Sequence, residues 1–331
     1  SFHSDDRKQV YTLKRPEVAM GEEDIGRDYE IIWFDDEKEL LKQAFEAIDS
    51  YPVVLTYNGD IFDMPYLCNR ANVLGLEYNP FKMMKEKATL NNGVHIDLYG
   101  VFSNRSLKIY AFGAKYITDK LDDVSEAMLG EKKVEYTGSL SDISLNLLSK
   151  YCYNDSRLTY ELSHYNNDLV MNLLVILCRI ANMPIDDISR LSISNWIKSM
   201  FYNEHRINGQ LIPRSVDFPR IEGTTTAGVK GKKYQGAEVL EPVSGIHFGV
   251  TVLDFASLYP SIIKTRNISY ETVCCCHEEC KNNIIPYTKH WSCTKKIGMA
   301  SLLIGSLKEL RVNHFKVLSK TSQTQKERDI N

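Results

Sequence analysis

The sequence predicts an α/β protein of about two domains, on three observations. Short β-branched runs alternate with longer helical patterns over residues 1–167, as in a layered sheet with helices on its faces. Residues 168–206 are helical throughout, with Trp196, Met200 and Phe201 on one face. A polar, glycine-rich and basic stretch at 220–236 follows, which reads as a loop and a domain junction. A length of 331 residues suits that division.

The elements follow in order. Two strands flank an acidic loop near the start, then a helix covers 37–48 and a buried strand 52–57. Residues 61–75 resume as a helix, because Pro65 falls in its first turn, where no amide is needed. A strand at 94–98 and helices near 107–117 and 141–165 come next. Strands return at 237–253, and Val250, Thr251, Val252 and Leu253 read as a buried strand ending on Asp254. A loop rich in Cys and His spans 274–293, and a helix runs over 299–320. No internal repeat is visible.

Composition narrows the function classes. At 43% hydrophobic and 25% charged the chain matches a globular protein. No apolar run approaches the roughly 20 residues of a membrane span; the closest, 169–181, is broken by Asn172 and Arg179. The first residues lack the apolar segment of a signal peptide, so the expected location is cytoplasmic, nucleoid-associated, with no membrane partner. The first 60 residues carry 15 Asp/Glu against 7 Lys/Arg, whereas 291–331 carry 8 Lys/Arg against 3 Asp/Glu. Such asymmetry suits a protein that repels a polyanion at one end and grips it at the other. The absent initiator Met and the abrupt end after a basic helix read as a fragment of a longer protein.

Three constellations carry chemistry. Asn58 closes a strand and Asp63 lies on the helix after it, while Tyr151 and Asp155 stand four residues apart on one helix face. Two carboxylates and a phenol suit metal-assisted phosphodiester hydrolysis, since divalent ions acidify the attacking water and the phenol can orient it. The segment Asp254-Phe255-Ala256-Ser257-Leu258-Tyr259-Pro260-Ser261 offers a carboxylate, turn amides and an aromatic ring together, hence a cation site, a phosphate cradle and a flat surface for a sugar. In the third, Cys276, Cys280, His290 and Cys293 have the spacing of a zinc site. Reduced thiols without a role and a Cys280–Cys293 disulfide compete with zinc there. No Walker A spacing occurs among the glycines.

The 254–261 segment resembles motif A of family B DNA polymerases, and Asn58 to Asp63 with Tyr151 to Asp155 resemble exonuclease motifs II and III of the same family, archaeal in type. The resemblance implies a ribonuclease-H-like 3′→5′ exonuclease domain at 1–167, a helical linker at 168–219, a partial α+β polymerase palm at 220–297 and the start of helical fingers at 298–331. It implies that Asp254 binds two Mg2+ ions and that Asp63 and Asp155 bind Mg2+ for editing. The amides of Phe255, Ser257 and Leu258 would hold phosphates, Tyr259 would exclude a 2′-hydroxyl beneath the incoming sugar, and Arg311 would grip the triphosphate. Tyr234 and Gly236 lie in a segment that resembles the family's Tyr-x-Gly-Gly/Ala segment, which tracks the template; with Asn58, Lys230, Lys232 and Lys233 they are the expected DNA contacts. Primer-template DNA and deoxynucleoside triphosphates are the implied partners, with a sliding clamp bound through parts beyond this chain. Exonuclease motif I is absent, either because it preceded Ser1 or because the editing domain is inactivated. The partner carboxylate of Asp254 is absent too, so the chain by itself is expected to be inactive. A stand-alone ribonuclease-H-like nuclease and a non-catalytic DNA-binding scaffold derived from a polymerase are the alternatives.

Overall fold

A computed structural model describes residues 1–22, 26–85, 87–214 and 240–322. The chain divides into two compact units, Ser1–Met200 and Phe201–Asp329.

In the first unit, β1 (Phe2–His3) pairs antiparallel with β2 (Lys8–Leu13), which pairs parallel with β3 (Glu30–Phe34). Asp36 then caps α1 (Glu37–Asp49) by accepting a hydrogen bond from the Glu39 amide, 3.0 Å. Leu41, Ala44, Phe45 and Ile48 recur at helical spacing and form its buried face. β4 (Val53–Thr56) leads through a tight turn into α2 (Asp63–Val73), with Pro65 in the first turn as expected. An antiparallel hairpin of β5 (Phe81–Met84) and β6 (Lys87–Leu90) follows, then β7 (Val94–Asp97), which lies parallel to β4. Short helices α3 (Leu98–Ser103) and α4 (Arg105–Tyr110) come next, then α5 (Leu121–Leu129). The long α6 (Leu145–Ser163) is capped by Ser144. It is followed by α7 (Tyr165–Ala181), α8 (Ile185–Arg190) and α9 (Ile193–Ile207), whose last residues are counted with the second unit.

The main core gathers Ile96, Leu98, Phe102, Phe112, Leu158, Leu162, Leu174 and Ile188 between β7 and the helices. Trp196 joins it, as its face on the helical pattern implied. A second cluster of Leu41, Phe45, Met64, Phe81 and Leu90 fills the space between α1, α2 and the hairpin.

In the second unit, α10 (Leu258–Thr265) packs on α11 (Met299–Glu309), which continues through a π-helical turn at Leu310–Phe315 into α12 (Lys316–Thr321). The Ser301 hydroxyl donates to the Ile263 carbonyl at 2.9 Å across the helix pair. No helix among the described residues is long and apolar enough to cross a membrane.

Several expectations need correction. The helix expected over 107–117 stops at Tyr110, because Gly113 (φ 63°) and Ala114 (φ 53°) turn left-handed. The hairpin and α5 were not anticipated. The helical run expected from 168 is broken from α6 by three consecutive left-handed residues, Asn166, Asn167 and Asp168, inside α7; short polar side chains tolerate that region best. The run Val250 to Leu253 forms no strand and is exposed, and no strand forms over 240–249 either. A β-branched run becomes a strand only against a partner edge, and no strand among the described residues pairs with it.

Candidate active site

Strand β4 and helix α2 hold the first cluster. Their turn is fixed by Asp97 at the end of β7, a buried carboxylate that accepts from the amides of Asn58 (2.7 Å), Asp60 (3.0 Å) and Tyr99 (3.0 Å). Asn58 takes a left-handed conformation, φ 66°, to make this turn. Burial pushes the Asp97 carboxyl up, against those three amides. Asp60, beside it, is clamped by Arg190 of α8. The guanidinium donates Nε to Oδ2 at 2.5 Å and Nη2 to Oδ1 at 3.1 Å, while the Ala88 amide reaches Oδ1 at 2.8 Å. Burial opposes ionisation of Asp60, yet hydrogen bonds from His95, Arg190 and Ala88 hold its carboxyl far below the ordinary range.

With the turn fixed, Asp63 opens α2. Its residue surface reaches solvent, but surrounding protein crowds the carboxyl and raises it, and the negative charges of Asp97 and Asp155 add to the rise. Tyr151 and Asp155 stand one turn apart on α6, as the spacing predicted. Lys133 lies between them, its Nζ 2.8 Å from Asp155 Oδ2 and 3.2 Å from the Tyr151 hydroxyl. Tyr136 meets the Tyr151 ring edge-on at 5.5 Å. Burial raises the Asp155 carboxyl in spite of Lys133, and its other oxygen, Oδ1, is buried with no hydrogen-bond partner.

A buried carboxylate oxygen with no hydrogen-bond partner, and a second carboxylate whose charge is felt from the same region, are donors that a cation would satisfy. Asp63 and Asp155 therefore fit a divalent ion. Of the expected editing residues, Asp63, Asp155 and Tyr151 are brought into one neighbourhood, whereas Asn58 serves the turn through its backbone. Asp97 and Lys133 went unnoticed in the sequence. Asp97 carries the signal applied to Asp254, a carboxylate ending a β-branched strand; Lys133 sits in irregular chain and carries none.

The second unit is more open. Asp254 and Phe255 lie in extended chain, exposed, and Ser257 starts α10 in a left-handed conformation, φ 52°. Leu258 and Tyr259 form the first turn, with Tyr259 77% exposed. Asp254 has no side-chain partner among the described residues. Arg311 is exposed in the π-helical turn after α11. Lys264 and Glu309 pair across α10 and α11. Tyr234, Gly236, Lys230, Lys232 and Lys233 lie outside the described residues.

In the cysteine loop, Cys280 and Cys293 converge as expected, but Cys276 and His290 do not join them. Cys276 points to solvent, and His290 Nδ1 lies 3.3 Å from Cys274 Sγ on the outer side. The loop backbone instead turns Cys275 and His277 inward, so that ligand atoms of Cys275, His277, Cys280 and Cys293 all lie within 4.8 Å of one another. All the cysteines are free thiols. The Thr294 hydroxyl and amide lower the Cys280 thiol to about 6 against the cost of its burial.

The family model described as DNA polymerase family B, exonuclease domain, matches residues 2–114, and that described as DNA polymerase family B matches 192–308, together more than half of the chain. DNA polymerase 1 of Aeropyrum pernix is 40% identical over 98% of this chain and 34% of its own length. DNA polymerase 1 of Saccharolobus solfataricus is 38% identical over 99% of this chain and 38% of its own length. The chain thus spans about a third of the length of these curated relatives. The solved family B DNA polymerase of Pyrobaculum calidifontis superposes with a TM-score of 0.60 at 23% identity, over 89% of this chain and 39% of that one. With its exonuclease-type domain followed by the start of a polymerase domain, the chain belongs to DNA polymerase family B, archaeal type.

Proposed function

We propose that this chain is part of a DNA-directed DNA polymerase that extends a primer on a template and edits it in the 3′→5′ direction. The observation that carries the reading is the buried, unpartnered Asp155 oxygen, with Tyr151 one turn away on α6 and Asp63 within electrostatic reach. A divalent ion such as Mg2+, when bound, would acidify the attacking water and offset charge on the phosphate. Lys133 pairs with Asp155, opposing the rise that burial imposes on its carboxyl, and holds the Tyr151 hydroxyl nearby. Tyr151 can then orient a water toward the phosphate. The crowding raises the proton affinity of both carboxylates, and a cation held by them would relieve the cost of their buried charge.

In the second unit, Asp254 is the proposed Mg2+ ligand for synthesis, and the amides of Phe255, Ser257 and Leu258 with Arg311 take the triphosphate. Tyr259, at the exposed start of α10, is the proposed barrier to a 2′-hydroxyl. Residues 1–167 are assigned to editing, 168–219 to a helical linker, 220–297 to the palm and 298–331 to the fingers. Primer-template DNA and deoxynucleoside triphosphates are the substrates, a sliding clamp is a partner, and the nucleoid is the working location.

The test uses a protein carrying this chain at the length of its relatives, with a primer labelled at its 5′ end. Asp254→Ala should abolish extension and spare primer shortening; Asp155→Ala should do the reverse. DNA binding with neither activity in the unaltered protein would favour the scaffold and end this reading.

A further inference from the structure

We propose that Cys275, His277, Cys280 and Cys293 bind one Zn2+ ion as a closed structural centre between α10 and α11. Three thiolates and one imidazole are a donor set that zinc takes with tetrahedral geometry. Arms of about 2.3 Å place neighbouring ligand atoms of a tetrahedron about 3.8 Å apart. Here Cys280 Sγ lies 4.0 Å from Cys293 Sγ, and Cys293 Sγ lies 3.5 Å from His277 Nδ1. Those separations fit the edges of a coordination shell. A disulfide needs sulfurs about 2.05 Å apart and would use only two of the four converging groups.

The surroundings support ligands in place. The Thr294 amide donates to Cys280 Sγ at 3.3 Å, and the Trp291 indole donates to the Cys275 carbonyl at 3.0 Å. Bonds of this kind orient metal ligands. Cys280 and Cys293 are buried, and four protein donors leave no open position, so the centre is structural rather than catalytic. Binding releases to solvent the proton of each ligand thiol that is still protonated.

The loop needs such a tie. Between α10 and α11 it has one short 3-10 turn (Glu278–Asn282) and two isolated bridges, Val273 to Ser292 and Ile284 to Trp291. At its base, three side chains cap the first amides of α11. Asn267 accepts from Gly298 at 2.8 Å, Ser269 accepts from Ala300 at 3.1 Å, and Glu271 accepts from Met299. Zinc would hold the loop over that base, and α11 would start from a fixed point.

The test begins with the full chain expressed with zinc in the medium and purified without chelator under reducing conditions. Metal analysis and native mass spectrometry should give one zinc per chain. Cys280→Ser and Cys293→Ser should drop zinc below about 0.2 equivalents, while Cys276→Ser and His290→Ala keep it. Because a variant could fail to fold, the unaltered chain is also loaded with Co2+, which should give the visible absorption of a tetrahedral thiolate site. Chelation should speed protease cleavage within 274–293 at least fivefold. Zinc below about 0.2 equivalents in the unaltered chain would overturn the proposal, as would an intact mass lighter by two hydrogens. Loss of zinc from Cys276→Ser or His290→Ala would overturn the ligand assignment.

Discussion

Replacing Arg190 with Met should destabilise the first unit by about 3–5 kcal/mol, the cost of stranding one member of a buried ion pair. The Arg190 and Asp60 side chains are 11% and 8% exposed. The Met side chain keeps most of the apolar stem but removes both donors to Asp60 and the Nη2 donor to the Ala88 carbonyl, 3.0 Å away. Asp60 keeps only the Ala88 amide at 2.8 Å and His95 at 3.4 Å. The pH dependence has a definite sign. The folded Asp60 carboxyl is held below its unfolded value, so the pair's contribution is present above about pH 4 and fades as pH falls toward the folded value. The difference between the two proteins should be full at pH 7 and shrink in stronger acid. Urea unfolding followed by hydrogen exchange in peptides covering 53–66 reads the first unit alone. The double change Asp60→Asn with Arg190→Met should cost less than the single changes summed, since the two share one interaction. A loss under about 1 kcal/mol for Arg190→Met would place the pair with solvent-screened surface bridges and refute the argument.

Two glycines should respond oppositely to alanine. A Cβ on Gly100 would fall 2.2 Å from the Ser189 carbonyl oxygen, forcing α3 and α8 apart, so Gly100→Ala should cost about 1–3 kcal/mol in urea unfolding. A Cβ on Gly305 meets only the flexible Lys264 side chain, at 3.1 Å, so Gly305→Ala should gain about 0.5–1 kcal/mol; a loss there would mean that α10 and α11 pack more rigidly than described. Asp63→Asn should raise the melting temperature at pH 7. A carboxyl raised in the folded state lowers stability as pH climbs from its unfolded value through its folded one. Solvent access keeps the gain under about 1 kcal/mol, or about 2–4 °C; it should vanish below about pH 4, and a lower melting temperature at pH 7 would refute the crowding.

Local pattern carried much of the first unit into view. The spacing of Leu41, Phe45 and Ile48 and the Asp36 cap specify α1 without tertiary help, and the four-residue step from Tyr151 to Asp155 needs only a helix. What stayed hidden depends on distant partners. Lys133 matters because the fold brings it to α6, and Arg190 because it crosses to Asp60. The run before Asp254 has the composition of a strand, but composition does not supply an edge to pair with. In the cysteine loop, residue types were readable while inward and outward directions were not, since a turn of one residue exchanges Cys275 for Cys276.

The Asp60–Arg190 clamp also bears on how the chain is made. Its members stand 130 positions apart, which a ribosome adding roughly 5–20 residues per second covers in roughly 6–26 s. During that interval the turn bearing Asn58 and Asp63 has Asp97 to close it but no guanidinium for Asp60. A nascent chain stalled before Arg190 would leave that carboxylate hydrated and the turn open to proteases. Helix α8 thus acts as a late checkpoint on a loop synthesised long before it.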